Sequence, residues 1–309
     1  MTQTLGYLFP GQGAQSVGMG LDLYESFTKS RDVYEQAEQI LELPIKRLSF
    51  EGPEEELRQT RYTQPAILVH SLAALAALPI ASPALAAGHS LGEYSALFSA
   101  GCLDFESVLR LVKKRGELMF AEGEKNPGTM AAILGLDAAT VESLCREAPG
   151  VVVPANYNEP KQTVISGEVE AVKQVAETAK QRGALKSVLL PVSGAFHSPL
   201  LTESGREFAD FLREFDIRDA AFPVVMNATG RPARLAQEIR NSLARQLTSP
   251  VRWTDTVHSA IKMGCRTFWE VGPGNILGGL VRRIDRGLAV LPAGKKHEIE
   301  TLNVGQGGS

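Results

Sequence analysis

The stretch from Pro83 to Leu97, Pro-Ala-Leu-Ala-Ala-Gly-His-Ser-Leu-Gly-Glu-Tyr-Ser-Ala-Leu, leaves a chain few ways to fold. Small apolar residues from Ala84 to Gly88 predict a buried strand, Gly88-His89-Ser90-Leu91-Gly92 a tight turn, and Glu93 to Ala100 a helix that Gly101 stops. The turn has the Gly-x-Ser-x-Gly form, in which glycines make room for a strained backbone that pushes the middle hydroxyl outward. Ser90 then sits where a helix begins, beside backbone N–H groups that have no helical partner and favour negative charge. The pentad thus offers a nucleophile and half of an oxyanion hole. In a chain with 29 glycines it reads equally as a glycine-rich turn carrying a solvated serine, so the other residues must decide.

The 309 residues suffice for one large domain or for a large domain with a small insert. A composition 44% hydrophobic and 22% charged is that of a globular enzyme and excludes a disordered or fibrous chain. A net charge of −3 argues against a nucleic-acid partner, which would demand a dominant basic surface. Cys102, Cys145 and Cys265 are far apart, odd in number and set among apolar neighbours, so they read as buried small hydrophobes rather than a disulfide framework or a metal site. The N-terminal residues show no basic region ahead of an apolar run, and the most apolar stretch, Ala66 to Leu78, is too short to span a bilayer. A cytoplasmic location without a membrane partner is therefore expected.

Leu5 to Phe9 reads as a strand that ends in the glycine-rich turn Pro10-Gly11-Gln12-Gly13-Ala14-Gln15. A dinucleotide fingerprint would need a small residue of the glycine or alanine type where Ser16 stands, so that reading is rejected. A loop after an early strand is, however, the place from which nucleophile-elbow folds draw their second oxyanion N–H. Helical patterning covers Ser26 to Leu41 and Gln64 to Leu78, separated by a polar segment, Glu51 to Arg61, and Asp104 caps a further helix reaching about Ala121. From Asn126 the pattern becomes βαββαβ: strands at Thr129 to Leu134, Val151 to Ala155, Thr163 to Ser166 and Leu185 to Leu190, with helices at Asp137 to Glu147 and Glu168 to Arg182. Beyond it, helices are expected at Leu200 to Phe215, Ala236 to Leu247, Thr254 to Lys262 and Ile276 to Ile284, and strands at Phe222 to Asn227 and Cys265 to Val271. The expected fold is α/β: an α/β-hydrolase-like core with a mostly parallel sheet and a nucleophile elbow, plus an inserted ferredoxin-like subdomain. Residues 1–125 and 193–303 would form the large subdomain, 126–192 the small one and 304–309 a flexible tail.

A serine hydroxyl needs a base to attack an acyl carbon at neutral pH. Of five histidines, His70 and His258 fall in helical stretches, His297 in the tail, and His89 should point to the other side of the elbow. His197 remains, in a loop downstream of the serine as nucleophile-elbow chain order requires. No acidic residue between them stands at the end of a core strand, so a backbone carbonyl is expected to orient the ring. On the helix after Asp104, Phe105, Val108, Leu109, Leu111, Val112, Leu118 and Met119 share an apolar arc at about 100° per residue, and Arg115 falls inside it. A guanidinium there either snorkels to the rim or meets a carboxylate, with a ligand carboxylate as one candidate.

Gly11-Gln12-Gly13-Ala14-Gln15, Gly88 to Tyr94, Arg115 in Lys-Arg-Gly, Gly194-Ala195-Phe196-His197-Ser198-Pro199, Ser249-Pro250-Val251-Arg252-Trp253 and Glu270-Val271-Gly272-Pro273-Gly274 together resemble bacterial malonyl-CoA:acyl carrier protein transacylases, in order and over nearly the whole chain. The resemblance implies Ser90 as the acylated nucleophile, His197 as its base, oxyanion N–H groups from Gln12 and Leu91, and Arg115 as a bidentate holder of the malonyl carboxylate. In the family the residue before the tryptophan of Pro-Val-x-Trp, often glutamine, orients the histidine through its carbonyl; Arg252 holds that place here. Phe196 is similar to the malonyl-selecting pattern, and Gln64 is counted as a supporting residue. The resemblance implies malonyl-CoA and the phosphopantetheine arm of acyl carrier protein as partners, fatty acid or polyketide synthesis as the setting, and neither metal nor cofactor. A monomer is compatible with the sequence. Arg282, Arg283 and Arg286 on the last helix, with Lys295 and Lys296 after it, are candidates for docking an acidic carrier protein, against the plainer reading of a solvated charged face. Two rivals share these features: a serine thioesterase or esterase with the same elbow, and a non-catalytic docking subunit.

Overall fold

The computed structural model describes residues 4–79, 81–192 and 194–304. Residues 1–3, 80, 193 and 305–309 lie outside them, and with them Ser193 of the histidine loop and nearly all of the expected tail. The described residues hold ten strands: β1 (Thr4–Phe9), β2 (Leu85–Gly88), β3 (Gly128–Leu134), β4 (Val152–Glu159), β5 (Gln162–Glu168), β6 (Lys186–Leu189), β7 (Val224–Met226), β8 (Arg231–Ala233), β9 (Cys265–Glu270) and β10 (Ala289–Pro292). They form a six-stranded sheet in the order β10-β9-β1-β2-β7-β8 and a four-stranded one in the order β4-β5-β3-β6.

In the large sheet every pairing is parallel except the β7–β8 hairpin. Alternation along the strands sends Leu8, Leu85, Ala87 and Val225 to one face and Tyr7, Phe9, Ala86 and Val224 to the other. Helices Trp253–Lys262 and Ile276–Ile284 cover the first face, and Thr60–Ala77 and Phe105–Lys125 contribute to the core on the second, as a parallel sheet requires. Because the strands run the same way, the turns after Phe9, Gly88, Met226 and Glu270 all emerge at one edge. Glu270 ties down one of these turns: its carboxylate accepts the N–H groups of Leu277 (2.9 Å) and Gly278 (2.8 Å), two donors a helix start leaves free.

The small sheet is antiparallel throughout and has the strand order expected of a βαββαβ unit. Ala131, Ile133, Val152 and Ile165 pack under helices Ala138–Glu147 and Val169–Gln181. Met130, Ala132, Ala155 and Val164 belong instead to the main core, so the sheet lies across the edge where the large sheet's turns emerge. We propose to treat 126–192 as a small subdomain set between 1–125 and 193–303.

Several expectations are corrected. The helix expected from Ser26 to Leu41 begins at Thr28, because Ser26 ends a separate helix, Leu21–Ser26, and the extended backbone of Phe27 parts the two. Leu200 to Phe215 is a helix over Thr202–Phe211 flanked by tighter 3-10 turns. The short edge strands β8 and β10 and helix Lys296–Val304 carried no pattern strong enough to read, so His297 and Val304 belong to a helix rather than a tail. Arg286 lies beyond the end of helix Ile276–Ile284, which is not the last.

The elbow is packed backbone against backbone. A Cβ on Gly88 would meet Gly92 C at 1.9 Å, and one on Gly92 would meet the Phe9 carbonyl oxygen at 2.1 Å. Gly92→Ala should therefore lose roughly 1–3 kcal/mol or more of stability through overpacking. Gly279→Ala, facing open space within a helix, should be neutral or gain up to about 1 kcal/mol. Chemical denaturation measures both, and wild-type stability in Gly92→Ala would refute the close contact.

Candidate active site

Ser90 has φ 51° and His197 φ 57°, both in the left-handed region that costs an ordinary side chain of order 1–3 kcal/mol. The two strained residues face one another: the Ser90 hydroxyl lies 2.7 Å from His197 Nε2. His197 is 3% exposed, and its Nδ1 lies 3.1 Å from the Gln246 carbonyl and 3.0 Å from that of Ser249. Two carbonyl acceptors fix the proton on Nδ1, so Nε2 presents its lone pair to the serine, which donates to it. Burial, and then the nearby Arg115 guanidinium, push the imidazole down to about 3 from its ordinary 6.5. The ring is thus neutral and basic in form at pH 7.

The orienting carbonyls correct the expectation placed on Arg252. That residue caps helix Trp253–Lys262, and its carbonyl is consumed by Thr256, from both the backbone N–H and the hydroxyl, at 2.9 Å each. Its side chain pairs with Asp255 and lies over the Tyr157 ring, away from His197. Gln246 O, in contrast, belongs to the end of helix Ala236–Gln246, where the last carbonyls have no partner within the helix; it takes the Ser249 N–H at 3.3 Å and keeps its second lone pair for the imidazole.

Arg115 is 1% exposed, so it does not snorkel. Nη1 donates to Gln64 Oε1 at 2.7 Å, Nε to Gln246 Oε1 at 3.2 Å, and Nη2 to Ser90 Oγ at 3.0 Å. The guanidinium carbon also lies 5.6 Å from the Tyr94 ring centroid. Gln64 is itself held by its amide N–H on Met119 Sδ at 3.2 Å. All its side-chain hydrogen-bond partners are neutral, and no ion pair forms at Arg115 among the described residues. A buried cation held this way keeps most of its field for whatever anion enters.

Ser90, His197 and Arg115 line a cavity of about 180 Å³ that Gln12, Leu91, Met130, Phe196 and Ile276 help to enclose. Gln12 and Leu91 line the same cavity as Ser90, and the Gln12 side chain donates to Thr60 Oγ1 at 3.3 Å. His89 corrects another expectation: it lines the same cavity rather than turning away, and its Nε2 lies 2.8 Å from Asn158 Oδ1 on β4. Of the other histidines, His70 is buried with Nε2 2.9 Å from the Gly294 carbonyl, and His258 is exposed. The cysteines are all free and buried.

Sequence reading missed Gln246 and Asn227. Gln246 joins the site three ways, through its carbonyl to His197, through Oε1 to Arg115 and through Nε2 to the Ser90 carbonyl at 3.0 Å. A signal existed, because Ile239, Ser242, Leu243 and Gln246 form the buried stripe of their helix and a long amide on that stripe requires partners. Asn227 follows directly on β7 without any local signal.

Titration of ¹³C-labelled histidines by NMR, with His197 assigned by its loss in His197→Ala, should show its ring neutral down to pH 5. Its midpoint should rise in Arg115→Gln, since removal of a cation favours the protonated ring. A wild-type midpoint near 6.5 would contradict the burial and charge described.

Residues 6–291 match the acyl transferase domain family. The chain is 40% identical to the malonyl CoA-acyl carrier protein transacylase of Bacillus subtilis over 301 residues, 96% of this chain and 95% of that one. It is 45% identical over 283 residues to the polyketide biosynthesis protein ThaF of Burkholderia thailandensis, covering 90% of this chain and 24% of that longer protein. Among solved structures, the malonyl CoA-acyl carrier protein transacylase of Coxiella burnetii superposes with a TM-score of 0.94 at 39% identity, covering 97% of this chain and 96% of that one. With an ordered match from the first strand to the last, the chain belongs to the acyl transferase domain family, among the malonyl CoA-acyl carrier protein transacylases.

Proposed function

We propose that this protein transfers a malonyl group from malonyl-CoA to the phosphopantetheine thiol of an acyl carrier protein, through a malonyl ester on Ser90. The observation that carries the reading is Arg115: a buried guanidinium 3.0 Å from the serine hydroxyl, held by neutral amides. A malonyl unit has its carboxylate one methylene from the reacting carbonyl, so an acyl group attached to Ser90 would bring that carboxylate within reach of the cation. His197 Nε2 takes the hydroxyl proton as Oγ attacks the thioester carbon, and the backbone N–H groups of Gln12 and Leu91 receive the oxyanion. CoA leaves as the thiol, protonated by His197, and the carrier protein's thiol then repeats the sequence in reverse. Arg115 keeps the ester where that thiol arrives, so orientation rather than a stray water selects the acceptor. Phe196, buried beside His197, restricts space next to the acyl carbon and disfavours an added methyl group.

The names of the relatives support the same substrates, and the match to a polyketide biosynthesis protein leaves both polyketide and fatty acid synthesis as settings. No helix of the described residues is long and apolar enough to cross a membrane. A cytoplasmic location is part of the proposal, because malonyl-CoA and a carrier protein are both charged and water-soluble. The carrier protein would dock on Arg282, Arg283 and Arg286, which line one surface hollow. Lys295 lines a different hollow with Asp22, Glu25 and Glu298, and we leave it and Lys296 out of that surface.

Arg115→Ala should lower malonyl transfer by about 10²-fold or more, the worth of a desolvated charge-assisted pair, while acetyl transfer is spared. Intact-mass analysis after exposure to each acyl-CoA reads the result; equal loss for both acyl groups would remove the clamp. The same measurement should show a malonyl adduct in the wild type and none in Ser90→Ala, and malonate released as the main product with carrier protein present would favour a thioesterase. Arg282→Glu with Arg283→Glu should weaken the carrier-protein half-reaction by roughly tenfold at low salt and leave acylation by malonyl-CoA unchanged. An unchanged second half-reaction would move the docking surface elsewhere.

A further inference from the structure

The nucleophile turn is braced from a strand that supplies none of its residues. Asn227, at the end of β7 and 1% exposed, spans the turn with its side-chain amide: Oδ1 accepts the Ser90 N–H at 2.6 Å and Nδ2 donates to the Gly88 carbonyl at 2.6 Å. Both of its backbone groups are fixed as well. Its carbonyl accepts the Arg252 N–H at 3.0 Å, and its N–H donates to Glu93 Oε2. Glu93 lies in the first turn of helix Gly92–Ser99 and is fully buried. A buried carboxyl costs several kcal/mol unless its partners repay it, and space here could be filled by an apolar residue at no such cost.

We propose that Glu93 is a positioning residue for acyl transfer, holding Asn227 so that the Asn227 amide locks Ser90 in its left-handed conformation. Asn227 cannot hold the turn unless its own backbone is held, and Glu93 closes that circuit from the helix the turn leads into. Ser90 at φ 51° would otherwise relax toward ordinary backbone angles, moving Oγ from the His197 Nε2 that it meets at 2.7 Å. Burial drives the Glu93 carboxyl up to about 8, with the Asn227 N–H bond and then the Arg115 charge opposing, so the brace needs the acceptor oxygen rather than a full negative charge. A glutamine would supply that oxygen.

The inference rests on Ser90 as the acylated residue, and the test separates the two. Glu93→Gln, Glu93→Ala, Asn227→Asp and the double variant Glu93→Ala/Asn227→Asp are assayed with malonyl-CoA and holo carrier protein, and the Ser90 amide resonance is followed by NMR in each. Asn227→Asp keeps shape but sets an oxygen against the Gly88 carbonyl. Glu93→Ala and Asn227→Asp should each lower kcat by about 10²-fold, the cost of a misplaced reacting atom, with KM within about twofold. The Ser90 amide resonance should move in both. Glu93→Gln should restore kcat to within about threefold of the wild type and keep the resonance in place, and the double variant should be no slower than the worse single one. Glu93→Ala at wild-type rate, Glu93→Gln as slow as Glu93→Ala, or multiplying losses in the double variant would each overturn the brace. Should Glu93→Ala not fold, Glu93→Gln against Asn227→Asp decides, and a wild-type rate in Asn227→Asp overturns the inference. A wild type without an adduct on Ser90 would defeat the functional reading while the amide resonance still judged the brace.

Discussion

A guanidinium removed from water and given only neutral hydrogen-bond partners sets the terms for every group near it. Gln64, Gln246 and the Ser90 hydroxyl satisfy the Arg115 donors without cancelling its charge. The uncancelled field helps hold His197 in its neutral form, and it makes the cavity a place where an anion gains more than it would in water. Under the proposed function, catalytic readiness and acyl preference therefore share one cause. The cost falls on the fold, which must position two glutamine side chains from helices Thr60–Ala77 and Ala236–Gln246 against a third helix, Phe105–Lys125.

That positioning follows from the parallel sheet. Four turns leave it at the same edge, so residues from the beginning, middle and end of the chain meet in one cavity without long loops. The small sheet adds the opposite wall, with Met130 and Val164 facing the cavity and Asn158 bonded to His89. The small sheet is also tied through its backbone to the segment leading into helix Trp253–Lys262, where Tyr157 N–H donates to the Val251 carbonyl and Val251 N–H to that of Ala155. The site is a seam between layers rather than a hole in either.

What the sequence made legible were residues that break a pattern. Ser90 sits between glycines, His197 lies in a loop free of helical periodicity, and Arg115 interrupts an apolar arc. The βαββαβ order was readable because each of its helices carries a clear amphipathic stripe, whereas the short strands β8 and β10 are defined by pairing alone. Groups that act through their backbone leave no trace in residue identity. The carbonyl that orients an imidazole is one of these, and the expectation set on Arg252 went astray for that reason while Gln246 and Ser249 took the part. Asn227 was equally silent, since an amide at a strand end is common and its meaning arises only when β7 pairs with β2.

The use of carbonyls in place of an acidic third residue follows from the same buried charge on Arg115. A carboxylate bonded to His197 Nδ1 would stand close to Arg115, which already touches the hydroxyl that the imidazole serves. Attraction would draw the guanidinium toward that carboxylate, and the site would lose its hold on an acyl carboxylate; the same charge would raise the affinity of His197 for a proton. Two carbonyl dipoles fix the tautomer and ring plane without carrying a net charge. A hydrolase that binds neutral acyl groups tolerates an aspartate there, but a site that keeps one cation for an acyl carboxylate, as we propose for Arg115, is better served by the carbonyl end of a helix.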